Sequence, residues 1–327
     1  MKIALKLSAG LMLLAVSPVL AQLPGTSLGN TLAVVGSDQV ALVNPTNYQL
    51  ARVVEGVHLQ DGPTEISTDA HWALTVIQAQ DSLRISDLEG RDPTRLVHLP
   101  WAPAPVAAFT SPDLQTAWVV SAGLKAVIEC DAATWTPKRR LPLEGPTPIR
   151  ALHQGSRMLI QSRSSIAEID LTSMKLLRTE TLLGTIEQLD WSQPDGHEAI
   201  CVERAPGRQV WEFARTAAGF LGEFSPATTG VLRLWPGSIG VVIGGHSGVV
   251  WASKLPVGGQ TWTRKFPEPV ADLQCSRDGK SLFLTQTGSN AVVVADLQSG
   301  KEVARIVIPF APQRLAWPGS TIGQTHR

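Results

Sequence analysis

Charge is scarce in this 327-residue chain, and what there is cancels: Asp, Glu, Lys and Arg make up 17% of it, with 28 acidic against 28 basic side chains. Neither a basic run nor an acidic tail breaks the balance, so the long-range attraction that draws proteins to nucleic acid or to an anionic membrane surface is missing. Cysteine is scarce too. Cys130, Cys201 and Cys275 are odd in number and widely spaced, which argues against a disulfide framework, a metal-ligand pair or haem attachment through C-x-x-C-H. All three read as small apolar strand residues.

Motifs that announce chemistry are lacking as well. There is no G-x-S-x-G, H-E-x-x-H, phosphate-binding loop or dinucleotide fingerprint, which removes the usual sequence-visible routes to nucleophilic, zinc and nucleotide chemistry. His58, His71, His98, His153, His197 and His246 show no i,i+2 or i,i+4 ligand spacing, so no metal is expected. No catalytic residue and no cofactor can be assigned. Catalysis by carboxylates and histidines gathered from distant segments would leave no such trace.

The one long apolar run opens the chain. Lys2 and Lys6 precede Leu7 to Val16, and Ser17-Pro18-Val19-Leu20-Ala21 follows. A charged start, an apolar centre too short to span a bilayer and small residues before Ala21 describe a signal peptide over residues 1–21. An uncleaved anchor is the alternative, but its helix would have to run through Pro18. Cleavage leaves a net charge of about −2 and no membrane anchor. The destination implied is the periplasm or the cell exterior.

What the chain has in quantity is apolar residues, 43%, with 28 Gly and 23 Pro, a composition suited to short strands and tight turns. A repeat organises them. Runs with an apolar start and a polar end recur as Val40 to Asn44, Leu83 to Asp87, Val127 to Asp131, Ile166 to Asp170, Val210 to Ala214, Val249 to Ser253 and Val292 to Asp296, roughly 39 to 44 residues apart. That period is the length of a four-stranded propeller blade. The last full copy shows the order: Val270 to Leu273, a turn at Asp278-Gly279, Ser281 to Thr285, a turn through Gly288-Ser-Asn290, Ala291 to Asp296, a turn at Ser299-Gly300, and Lys301 to Ile308. Apolar on both faces, such a meander stays dry only by stacking against its neighbours.

The chain is therefore expected to be all-β: a seven-bladed β-propeller of four-stranded antiparallel blades, one domain over residues 22–317. Its first strands, from Thr31 to Val54, lack the opening strand of the repeat, and Pro312 to Trp317 supplies that pattern. The C-terminal strand is thus expected to complete the first blade and close the ring, leaving residues 318–327 as a flexible tail.

In Asp278-Gly279-Lys280 through Ile308, and in the turns Ser111-Pro112-Asp113 and Gln193-Pro194-Asp195-Gly196, the sequence resembles the YVTN-type β-propeller repeat family. Ala214 and Ser253 stand where that repeat usually has Asp. The resemblance implies a propeller architecture, found in exported and surface-associated bacterial proteins and similar to the propellers of amine dehydrogenases and lactonases. Architecture alone does not specify activity.

Each opening strand reads Φ-x-x-Φ, and its third position, followed around the expected ring, gives Arg314, Glu65, Ala108, Ala151, Gln188, Arg233 and Asp272. The charges among Arg233, Asp272, Arg314 and Glu65 alternate. Together with Gln188 they describe either a polar channel mouth for a small anionic ligand or a self-paired ladder of charges. Trp191, Trp235 and Trp317 follow opening strands, where they serve either a docking face or packing. The function expected is a non-catalytic binding or assembly scaffold whose partner is another protein or a cell-envelope component. The alternative is a propeller enzyme of the lactonase or amine-dehydrogenase type.

Overall fold

The computed structural model describes residues 31–57, 61–67, 69–191, 197–205, 208–215, 219–224, 230–234, 240–245, 247–254, 259–319 and 321–322. Residues 1–21, where a signal peptide is expected, lie outside them. Among these residues the architecture is all-β, with six four-stranded antiparallel sheets and one of five strands. The first sheet runs Arg314–Ala316, Leu32–Val35, Gln39–Asn44, Gln49–Glu55. The third sheet typifies the rest: Pro105–Thr110, Thr116–Ser121, Ala126–Asp131 and Pro137–Pro142 form a simple meander.

Local chemistry explains why the repeat ends in a polar residue. The Asp131 side chain accepts from the backbone amides of Ala133 and Thr134, Asp170 from Thr172 and Ser173, Asp296 from Ser299, and Asn44 from Thr46 and Asn47. These Asx turns fold the third strand back into the fourth. Four residues on, the chain enters the left-handed region at Tyr48, Trp135, Met174 and Gly300. At Gly300 a side chain would also collide with Trp262, whose Cε3 lies 2.5 Å from where a Cβ would stand. A second motif turns the first strand into the second. Ser67, Ser111 and Ser276 each donate to the Asp two residues later and accept from the amide five residues later. The Ser111 and Ser276 hydroxyls hold Asp113 and Asp278 below the ordinary carboxylate range.

Burial grades across each sheet. Every residue of Leu32–Val35, Thr64–Ile66 and Pro105–Thr110 is buried, whereas Pro137–Pro142 and Glu302–Val307 are mostly exposed. The apolar faces are covered by the next sheet. One cluster joins Leu74, Ile85, Val119 and Ile128 of the second and third sheets, and another joins Leu159, Ile166, Ile186 and Leu189 of the fourth and fifth. A third binds Leu32, Val34 and Val43 of the first sheet to Phe283, Val292 and Val294 of the last. Cys130 and Cys275 are buried free thiols, as strand residues would be; burial pushes Cys130 up to about 12 and Cys275 higher still.

At the C-terminus, Arg314–Ala316 pairs with Leu32–Val35 in the register Ala33↔Ala316, Val34↔Leu315, Val35↔Arg314. The segment expected to trail beyond Trp317 is corrected in part. Thr321–Ile322 forms a short strand that pairs Thr321 with Glu65 and Ile322 with Thr64, making the second sheet five-stranded. Sequence could not signal this, because two residues carry no readable period. Among the described residues no helix is long and apolar enough to cross a membrane.

Candidate functional site

The first strands of the fourth to seventh sheets are Arg150–Gln154, Thr185–Trp191, Gly230–Leu234 and Val270–Cys275. With Arg314–Ala316 of the first sheet, they bring five charges under one another's influence: Arg150, Asp190, Arg233, Asp272 and Arg314. Arg233 Nη2 donates to Asp272 Oδ1 at 2.8 Å. The same oxygen accepts from the Leu273 amide, while Oδ2 accepts from the Leu315 amide at 2.9 Å, in the adjoining sheet. Asp190 acts likewise, its Oδ2 accepting from the Leu234 amide at 2.8 Å. Gln188 and Gln274 reach the Gly230 and Leu315 carbonyls. Side chains of one leading strand thus hydrogen-bond the backbone of the next, which fixes adjacent sheets edge to edge.

Arg150 is different. It is partly exposed, yet its Nε is sealed from solvent with no hydrogen-bond partner, and it makes no ion pair among the described residues. Burial lowers it to about 10; Arg233 and Arg314 add to the depression, against Asp190 and Asp272. It remains charged at neutral pH. Arg314 is lowered in the same way, by burial first, with Asp272 opposing and Arg233 reinforcing.

A second polar group lies inside. Glu65, on Thr64–Ile66, is 1% exposed, and neither carboxylate oxygen has a hydrogen-bond partner. Its Oε1 is 4.0 Å from Nδ1 of His153, on the leading strand of the fourth sheet. Burial pushes Glu65 well above the ordinary carboxylate value, opposed by the Thr110 backbone amide, which faces it without hydrogen-bond geometry to either oxygen. Burial lowers His153, whose Nε2 lies 2.8 Å from the Gly155 carbonyl and whose ring packs against Phe109 and Trp118. The Thr110 hydroxyl and the Trp118 indole N–H are also buried without partners.

The expected alternating ladder is therefore only partly realised. Arg233 and Asp272 do pair, and Arg314 joins them. Glu65 does not continue the ladder but faces His153 in the interior, and Gln188 is occupied by a backbone carbonyl. A fixed third position fails because the leading strands of the third, fifth and seventh sheets shift register, at Pro105/Ala107, Ile186/Gln188 and Val270/Asp272, while those of the fourth and sixth do not. A bulge moves every later side chain to the other face, so one fixed position does not follow one face through all the sheets. Asp190, His153 and Gln274 were missed for another reason. They follow the Φ-x-x-Φ pattern by one residue, and that position reads Ala316, Ser67, Thr110, His153, Asp190, Trp235 and Gln274, polar at five of seven places.

Of the tryptophans, Trp317 is packed inside. It is 8% exposed, donates to the Cys275 carbonyl at 2.9 Å, meets Phe283 edge-on and lies under Arg277. Trp191 is partly buried against the cluster between the fourth and fifth sheets, its indole N–H without a partner. Trp235 lies outside the described residues. Among the described residues no three His, Cys, Asp or Glu side chains are grouped to hold a metal ion.

No protein-family model and no curated protein matches the chain. Solved structures do. Dihydro-heme d1 dehydrogenase NirN in complex with DHE superposes with a TM-score of 0.64 at 16% identity, over 94% of this chain and 78% of that one. Kuenenia stuttgartiensis hydrazine synthase gives a TM-score of 0.59 at 16% identity, over 86% of this chain and 98% of that one. Both neighbours are β-propeller proteins, and at this identity the likeness is one of fold alone.

Proposed function

We propose that this chain is an exported, non-catalytic binding or assembly scaffold: a ring of seven blades, of YVTN type, closed by its C-terminal strand and working in the periplasm or at the cell surface. Its partner is another protein or a component of the cell envelope. One observation carries the reading: two acids of the leading strands are engaged in joining sheets, Asp272 with three donors and Asp190 with the Leu234 amide. A carboxylate so engaged stiffens a frame, since turning it toward a substrate would orphan the backbone amides that it serves.

A second reading has its own support. Glu65 and His153 are titratable and close, with the Glu65 carboxylate and His153 Nδ1 unpartnered, the feature that a propeller enzyme would need, and the two solved neighbours are described as a dehydrogenase and a synthase. The test sets both readings against each other. Protein recovered from the periplasm should begin at Gln22 by mass spectrometry and should leave panels of lactones and primary amines unconsumed. Turnover that Glu65→Gln abolishes, with folding intact by circular dichroism, would overturn the scaffold in favour of the enzyme.

A further inference from the structure

Glu65 and His153 face each other with the wrong chemistry. The Gly155 carbonyl can only accept, so His153 Nε2, 2.8 Å from it, bears the ring proton and leaves Nδ1 as an acceptor. Opposite Nδ1, at 4.0 Å, stands Glu65 Oε1, which as a carboxylate oxygen is a second acceptor. Both side chains are sealed, Glu65 at 1% and His153 at 2% exposure, and neither Nδ1 nor either carboxylate oxygen has a hydrogen-bond partner. Among the described residues no Lys or Arg pairs with Glu65. Two buried acceptors set wider apart than a hydrogen bond call for a donor between them. A nitrogen at about 2.9 Å from each would see them about 90° apart, within reach of two N–H bonds of one tetrahedral centre. A neutral donor would be served equally well by glutamine, without the desolvation that a buried carboxylate carries; a carboxylate is the group to hold a charged guest. The surroundings suit a charge pair. Pro105–Thr110 packs against both Thr64–Ile66 and Arg150–Gln154, and the Phe109 and Trp118 rings lie 5.3 and 5.8 Å from that of His153, so bulk water does not screen what is made inside.

We infer that Glu65 and His153 form a binding site for an ammonium ion, held between the leading strands of the second and fourth sheets, with the Glu65 carboxylate as counter-charge and His153 Nδ1 as second acceptor. The site goes beyond both readings of the function, because it needs no protein partner and no turnover. Potassium has the same charge and a similar size but offers no N–H bond, so a nitrogen acceptor discriminates against it. Being about as small as a water molecule, the ion enters through local opening of the fold and needs no permanent channel.

The experiment is thermal unfolding of the whole chain near neutral pH in ammonium, potassium or sodium chloride at matched concentration. Ammonium at about ten times its dissociation constant should raise Tm by about 2–4 °C above the other two salts. Glu65→Gln removes the charge, and His153→Gln keeps a donor for the Gly155 carbonyl while losing Nδ1; both should lose the ammonium shift. Glu302→Gln, on the outer strand Glu302–Val307, should keep it. Three results would overturn the site: equal shifts in ammonium and potassium, which would mean that salt alone acts; no shift in any salt, which would mean that the pair holds water at most; or an undiminished shift in Glu65→Gln. Should one variant fail to fold, the other decides. Calorimetric titration of the wild type with ammonium in a potassium background needs neither variant: saturable heat is expected, and its absence would overturn the site. Turnover of a lactone or amine, which would overturn the scaffold, has no bearing on these shifts.

Discussion

Glu65 Oε1 stands 4.0 Å from His153 Nδ1, and neither atom has a hydrogen-bond partner. Because His153 Nε2 lies at hydrogen-bond distance from the Gly155 carbonyl, Nε2 carries the proton and Nδ1 presents a bare lone pair. Burial raises Glu65 and lowers His153, so it disfavours the charged form of each. This buried pair governs how stability should vary with pH.

For Glu65 the folded value is raised, so its contribution is complete below the unfolded value near 4.5 and is lost as pH climbs toward the folded one. Glu65→Gln, which cannot ionise, should therefore stabilise the protein by about 1–3 kcal/mol at pH 8, where the wild type must ionise or hold a costly proton. The gain should shrink to nothing near pH 4. His153 works in the opposite sense: its value is lowered, so stability present above about 6.5 falls away in acid. Urea denaturation of both forms at pH 4, 6 and 8 checks this, and a gain independent of pH would show that Glu65 is not neutralised by burial.

Asp272 is the most connected acid of the leading strands. Asp272→Ala leaves the Leu273 and Leu315 amides without the acceptor they use and removes the ion pair of Asp272 with Arg233. A loss of about 3–5 kcal/mol is expected. Asp272→Asn, which retains one acceptor oxygen, should fall between. Chemical denaturation measures both, and a loss under about 1 kcal/mol for the alanine would mean that the inter-sheet bonds do not hold the frame.

Two truncations separate the roles of the C-terminal strands. Removing residues 320–327 takes away the two-residue pairing with Thr64 and Glu65 and should leave cooperative unfolding intact. Removing residues 312–327 strips Arg314–Ala316 from Leu32–Val35 and uncovers an edge whose residues are all buried. Loss of the cooperative transition and aggregation are expected, because a bare apolar edge strand templates pairing between chains. Light scattering and calorimetry of the two truncations decide the matter.

Much of this architecture was legible in the chain. Alternating apolar runs and Asx-turn residues act over four to eight neighbours, so Asn44, Asp131, Asp170 and Asp296 marked the same hairpin wherever they occurred, and a defect in the head of the chain could be matched with a spare strand at its tail. The site was less legible. Arg233 and Asp272 emerged from their shared position, but Arg150, at the second position of its Φ-x-x-Φ pattern, did not.

The sequence by itself determined the strands, the turns and the need of each sheet for neighbours, since those follow from short-range backbone chemistry and from apolar surface that must be covered. Tertiary structure alone decided which polar side chains met. Glu65 and His153 come from different sheets, as do Arg150, Arg233 and Arg314. Their encounter depends on register shifts and sheet-to-sheet hydrogen bonds that sum over the whole fold, and no local pattern encodes such a sum.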